Sequence, residues 1–145
     1  MTSIKQRVKD LISQMTLDEK LAQLGSYWIY DLQTDGQLDM NKVQNKLGSG
    51  IGQITRVAGA STLDPVSAAK TGNQIQKFLV EVTRLGIPAI LHEECCLGAK
   101  MLGGTMYPQM IGLASTFEPR LAEEMSRAIQ KQLLAVGARQ ALAPV

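Results

Sequence analysis

Aromatic residues are scarce in this chain: one Trp, three Tyr and two Phe among 145 residues. Cysteine occurs twice and histidine once, at His92. Cys95 and Cys96 are adjacent, a placement poor for pairing with each other, and no third cysteine is present. They read as small hydrophobes of the interior rather than as a disulfide framework. One histidine and two neighbouring thiols are too few ligands for a zinc site, so no metal and no cofactor is expected. An excess of one charge is also missing, with 15 Lys plus Arg against 13 Asp plus Glu and no basic cluster. That argues against nucleic acid as a partner. No apolar run approaches the roughly 20 residues that span a bilayer. Met1–Met15 is charged and amphipathic, without the apolar core and cleavage site of a signal peptide. A cytoplasmic location, with no membrane partner, is the expectation.

What is present is the make-up of a folded domain, or of part of a larger one: 45% hydrophobic and 19% charged residues. A helical lead-in occupies 1–47. Ile4, Val8, Leu11, Ile12 and Met15 share one stripe of a helix over 3–15. Thr16 opens T-L-D-E, a capping box with Glu19, for a short helix through Leu24 that Gly25 stops. Residues 26–39 read as irregular, and a weak helix covers Asn41–Leu47.

Strand–helix units follow over 51–145. Ile51–Val57 reads as a strand. Asp64-Pro65 supplies an N-cap and a proline at the first helical position. The helix it starts runs to about Leu85, with Ile75, Phe78, Leu79 and Val82 on its buried face. Residues 87–93 form the next strand. A helix from Glu118-Pro119, striped by Leu121, Met125, Ala128, Ile129 and Leu133, ends at Gly137. Gln140–Val145 begins another strand. This alternation predicts an α/β fold with about three parallel strands and flanking helices. Bare outer edges on such a sheet read as an incomplete barrel.

The chemistry gathers at the end of the 87–93 strand. Its apolar run breaks off at His92, Glu93 and Glu94, and ionisable groups there gain nothing from packing. In parallel α/β folds binding groups collect at the C-terminal strand ends. Strand alternation places His92 and Glu94 on one face and Glu93 on the other. Adjacent carboxylates so divided are a poor acid/base pair across a glycosidic bond. Glu94 alone is suited to accept hydrogen bonds from ligand hydroxyls; the bland alternative is a solvated or ion-paired strand end. Arg56 either reaches this site or is a surface arginine. G-S-G-I-G-Q at 48–53 precedes a strand instead of following one, which rejects a dinucleotide fingerprint.

Several segments, in order, carry a resemblance: M-T-L-D-E-K-L-A-Q-L, I-G-Q-I-T-R-V-A-G, R-L-G-I-P-A-I-L-H-E-E-C, Y-P-Q-M-I-G-L-A-S-T-F-E-P and G-A-R-Q-A-L-A-P-V. Together the chain resembles the amino-terminal domain of glycoside hydrolase family 3, which includes β-glucosidases and β-xylosidases. The resemblance implies the first part of a (β/α)8 TIM barrel. It implies that Glu94 binds hydroxyls of the terminal sugar, with His92 and Glu93 in weaker, supporting roles. Leu97 stands where the family often has a histidine. The arginine, lysine–histidine pair, nucleophile and acid/base of the family match segments beyond Val145. The resemblance therefore implies a fragment of a retaining β-glycosidase, for β-linked glucosides or xylosides, that is inactive alone. The alternative expectation is a non-catalytic partial barrel that forms homo-oligomers through its strand edges.

Overall fold

A computed structural model describes residues 3–144. Helix α1, Ile4–Gln14, starts where the Ser3 hydroxyl accepts the Gln6 N–H at 3.2 Å. Its apolar stripe is not buried: Ile4 is 78% exposed. Helix α2, Leu17–Gln23, carries the capping box read from T-L-D-E. Glu19 N–H donates to Thr16 Oγ1 and Thr16 N–H donates to Glu19 Oε2. The same carboxylate accepts two N–H groups of Arg84, joining the lead-in to the turn 65 residues on.

Residues 26–39 depart from the irregular reading. Ser26–Trp28 is strand β1, followed by a 3-10 turn at Ile29–Leu32 and a hairpin of β2, Gln33–Thr34, with β3, Gln37–Leu38. Asp39 then caps α3, Met40–Leu47. Three residues are too few for an alternating pattern to declare itself.

The remaining elements follow the expected alternation. They are β4 (Gln53–Thr55), α4 (Pro65–Glu81), β5 (Ile90–Glu94), α5 (Met110–Ala114), α6 (Pro119–Ala135) and β6 (Gln140–Leu142). Asp64 caps α4 through Val66 and Ser67 N–H, with Pro65 in its first turn. The helix ends at Glu81, short of Leu85, which leaves Val82 59% exposed instead of on the buried face. Leu121, at the start of α6, is also largely outside the core. Short α5 was not expected, and Val145 lies outside the described residues.

Among the described residues the main sheet has four strands, one more than the roughly three expected, in the order β1–β4–β5–β6, all parallel. Trp28, Thr55 and His92 stand side by side across it. On one face Ile54 and Leu91 pack with Ile75 and Leu79 of α4 and with Ile29, Val43 and Leu47. Gly72 lets α4 approach the sheet, since a Cβ there would meet Leu91 at 3.0 Å. Met125, Ile129 and Leu133 of α6 form a second cluster with Ala58, Ala68 and Cys95. Cys95 is thus an interior hydrophobe, while Cys96 is half-buried. On the other face Ile90 is 46% exposed, while Thr55 and His92 are buried.

The Glu19–Arg84 contact sets a pH dependence. Hydrogen bonds from the guanidinium, then the Thr16 N–H, pull the Glu19 carboxyl from 4.5 down to about 2. A depressed carboxyl pKa contributes stability that is present above about 4.5 and is lost as pH falls toward about 2. Thermal melts followed by circular dichroism across that window should show a steep loss of Tm in the native chain. The slope should flatten in Glu19→Gln.

Candidate functional site at the strand ends

Each side chain of the site takes its direction from β-strand alternation. Ser26 Oγ lies 2.6 Å from Thr55 Oγ1, and Thr55 Oγ1 lies 3.0 Å from His92 Nε2. These bonds fix Ser26, Thr55 and His92 on one face of the sheet, opposite α4, and alternation adds Trp28 and Glu94 to it. Glu93 points to the opposite side. The H-E-E cluster is therefore split as the sequence predicts.

Glu93 is 2% exposed. Its Oε1 accepts the Ala58 N–H at 2.8 Å and its Oε2 accepts the Gly59 N–H at 3.0 Å. Burial pushes its pKa up, while those two donors and then the Arg56 charge pull against the rise. Both oxygens are engaged with backbone, so Glu93 fastens the loop after β4 to the end of β5. Gly59 is required by space. A Cβ there would lie 2.5 Å from the Lys100 carbonyl and 2.7 Å from Glu93 Oε2.

His92 is buried, and desolvation first, then Arg56, lowers its pKa. It is a neutral imidazole at physiological pH. Its Nδ1 is buried without a partner among the described residues. An orphaned N–H costs more than an orphaned lone pair, so the network assigns the proton to Nε2, which donates to Thr55. Thr55 then donates to Ser26, and the end of this relay is the hydroxyl of exposed Ser26.

Glu94 is half-buried at the rim. Its Oε1 accepts the N–H groups of Cys95 at 3.1 Å and Cys96 at 3.2 Å. The Cys96 thiol, opposed by desolvation and joined by those N–H groups and Arg56, holds the carboxyl below its usual range. Oε2 accepts no backbone N–H among the described residues. The site thus presents an ionised carboxylate with Oε1 anchored by two backbone N–H groups at the half-buried end of the strand.

Arg56 follows β4 in a left-handed conformation, φ +56°. Its N–H donates to the His92 carbonyl at 2.8 Å and its side chain donates to the Gly59 carbonyl at 3.1 Å. It is part of the site and not a free surface arginine: its charge acts on His92, Glu93 and Glu94 together. Ser26, Thr55 and Trp28 were not singled out by sequence. Alternation in Q-I-T could have flagged Thr55, whereas a three-residue β1 offered no signal.

The model of the Glycosyl hydrolase family 3 N terminal domain matches residues 16–145. Beta-glucosidase C of Emericella nidulans is 32% identical over 97% of this chain and 24% of its own length. A periplasmic beta-glucosidase/beta-xylosidase of Dickeya chrysanthemi is 27% identical over 96% of this chain and 23% of its own. A solved β-glucosidase from Erythrobacter marinus superposes with a TM-score of 0.80 at 28% identity, covering 95% of this chain and 18% of that one. The chain thus spans about a quarter or less of the curated relatives it matches.

The two glutamates should separate in a stability measurement. Glu93→Gln leaves one backbone N–H facing an amide NH2, and an unsatisfied buried donor costs about 1–3 kcal/mol. Glu94→Gln keeps an oxygen for Cys95 and Cys96 and should cost about 0.5 kcal/mol or less, as rim substitutions do. Urea denaturation of both variants checks the difference.

Proposed function

Because the chain belongs to glycoside hydrolase family 3 through its N-terminal domain, we propose that it supplies terminal-sugar-binding strand ends of a retaining, exo-acting β-glycosidase. The observation that carries this reading is Glu94, an ionised carboxylate at a C-terminal strand end. A pyranose offers vicinal hydroxyls as donors, and a charged acceptor at a partly dry rim binds them more strongly than water does. The Ser26 hydroxyl, at the end of the relay from His92, adds a second polar contact. His92 orients and Glu93 holds the loop; neither needs to touch the sugar. The names of the relatives carry both β-glucosidase and β-xylosidase, so the substrate class proposed is a β-linked glucoside or xyloside.

Binding is not hydrolysis. Retention needs a nucleophilic carboxylate and a proton donor about 5–5.5 Å apart. On the Glu94 face of the four strands Glu94 is the one acidic residue among the described residues, since Glu93 faces away with both oxygens occupied. The 145 residues on their own position a sugar without cleaving it.

A second reading rests on the sheet edges. β1 and β6 each pair on one side only, and Ile90 is exposed between them. Unpaired parallel edges are templates for a further strand, and a second copy of the chain would close them. A monomeric mass in solution sinks this reading.

For the main reading, glucose or xylose should bind the chain weakly by isothermal titration calorimetry. Glu94→Gln should lose about 1.5–3 kcal/mol of that binding, the worth of a hydrogen bond to a charged group. Aryl β-glucosides should release no chromophore, and turnover that survives Glu94→Ala would overturn the assignment.

A further inference from the structure

Helix α1 is capped and regular, yet none of its residues is buried. Ile4 is 78%, Val8 49% and Ile12 48% exposed, and Leu11 is half-buried. Arg84 holds only the far end of the helix, where the Gln14 carbonyl accepts its N–H at 2.8 Å. Hydrophobic residues scattered singly on a surface are ordinary, but four aligned along one helix are a face without a cover.

The charges around that face are not evenly spread. At 3.6 residues per turn the stripe runs from Leu11 through Ile4 and Val8 to Ile12, about 100° of the circumference. Lys5 and Lys9 border it on the Ile12 edge and Arg7 borders it on the Leu11 edge. All three cations are exposed, and none is in an ion pair among the described residues. Asp10, the one acid of the helix, is turned to the far side, where it accepts the Gln6 amide at 2.7 Å. The stripe therefore has a basic margin on both sides.

That margin decides what can cover it. A second copy of α1 laid on the stripe, in either direction, would set a basic edge against a basic edge, and like charges there repel. An anionic lipid surface suits both features at once. The stripe enters the headgroup boundary, while the long Lys and Arg side chains reach out along it to the phosphates. No helix among the described residues is long and apolar enough to cross a membrane. A helix that lies along a bilayer needs no such length.

We propose that α1 docks the chain on an anionic lipid bilayer, with Ile4, Val8, Leu11 and Ile12 in the interface and Lys5, Arg7 and Lys9 on the headgroups. This surface is separate from Glu94, and its test does not depend on sugar binding.

The whole chain is mixed with phosphatidylcholine vesicles or with equimolar phosphatidylcholine and phosphatidylglycerol vesicles, and binding is read by co-sedimentation. Each basic residue at an anionic surface adds about fivefold to partitioning, so three cations less Asp10 should favour the anionic vesicles by about tenfold or more. Salt at about 1 M should remove most of that preference. Lys5→Gln combined with Lys9→Gln should cut anionic binding about tenfold or more, and Val8→Gln should cut it about tenfold through lost apolar contact. Glutamine is as good a helix former as the residues it replaces, and α1 buries none of them, so circular dichroism should show both variants folded. Equal binding to the two vesicle types, or binding to neither, overturns the proposal. Anionic binding that Val8→Gln leaves unchanged also overturns it, because charge alone is then adsorbing the chain. A dimer in analytical ultracentrifugation that Val8→Gln dissociates overturns it as well, since a second copy then covers the stripe.

Discussion

A carboxylate survives away from water only where donors meet both of its oxygens, and Glu93 is met by the N–H groups of Ala58 and Gly59. That contact determines where the rest of the site lies. It brings the loop after β4 against the end of β5 and fixes the stretch from which Arg56 projects. Because alternation is strict, the same strand that buries Glu93 must send His92 and Glu94 to the opposite side. One interaction therefore anchors the rim and, by parity, aims the group that faces solvent.

The three residues of H-E-E divide between them tasks that their adjacency hides. Glu93 is structural, with its charge answered by backbone. His92 is held neutral and joins Thr55 and Ser26 across three strands. Glu94 retains its charge because the Cys96 thiol and two N–H groups favour the ionised form more than partial burial opposes it. Similar chemistry in the three side chains becomes different chemistry through desolvation and direction alone.

Much of this was legible in the chain. Asp64-Pro65 and Glu118-Pro119 mark helix starts by caps that the structure uses, and the split between Glu93 and its neighbours follows from a period of two. The four-stranded sheet was not fully legible. Ser26–Trp28 is too short to show a pattern, and its partner is β4, 27 residues on. Met110–Ala114 escaped because five residues with an internal glycine and no side-chain cap carry little helical signal. Trp28 and Thr55 were missed for a related reason. Their surroundings come from other strands, and nothing in their own segments says what those will be. The α1 stripe misled in the opposite sense, since a correct amphipathic pattern does not say which surface covers it.

The crowding at Gly59 bears on how this rim can change over evolutionary time. The Lys100 carbonyl, Glu93 Oε2 and Arg56 Nε all lie within 3.3 Å of where a side chain would begin. Glycine, glutamate and arginine, 37 residues apart at the extremes, therefore form one inherited unit. Drift at any one of them is blocked until the others move, so sequences that share this rim should lose or keep the three together. Glu94 has no such tether: its hydrogen bonds are made to the turn that follows it. The recognition group is free to vary on a frame that is not.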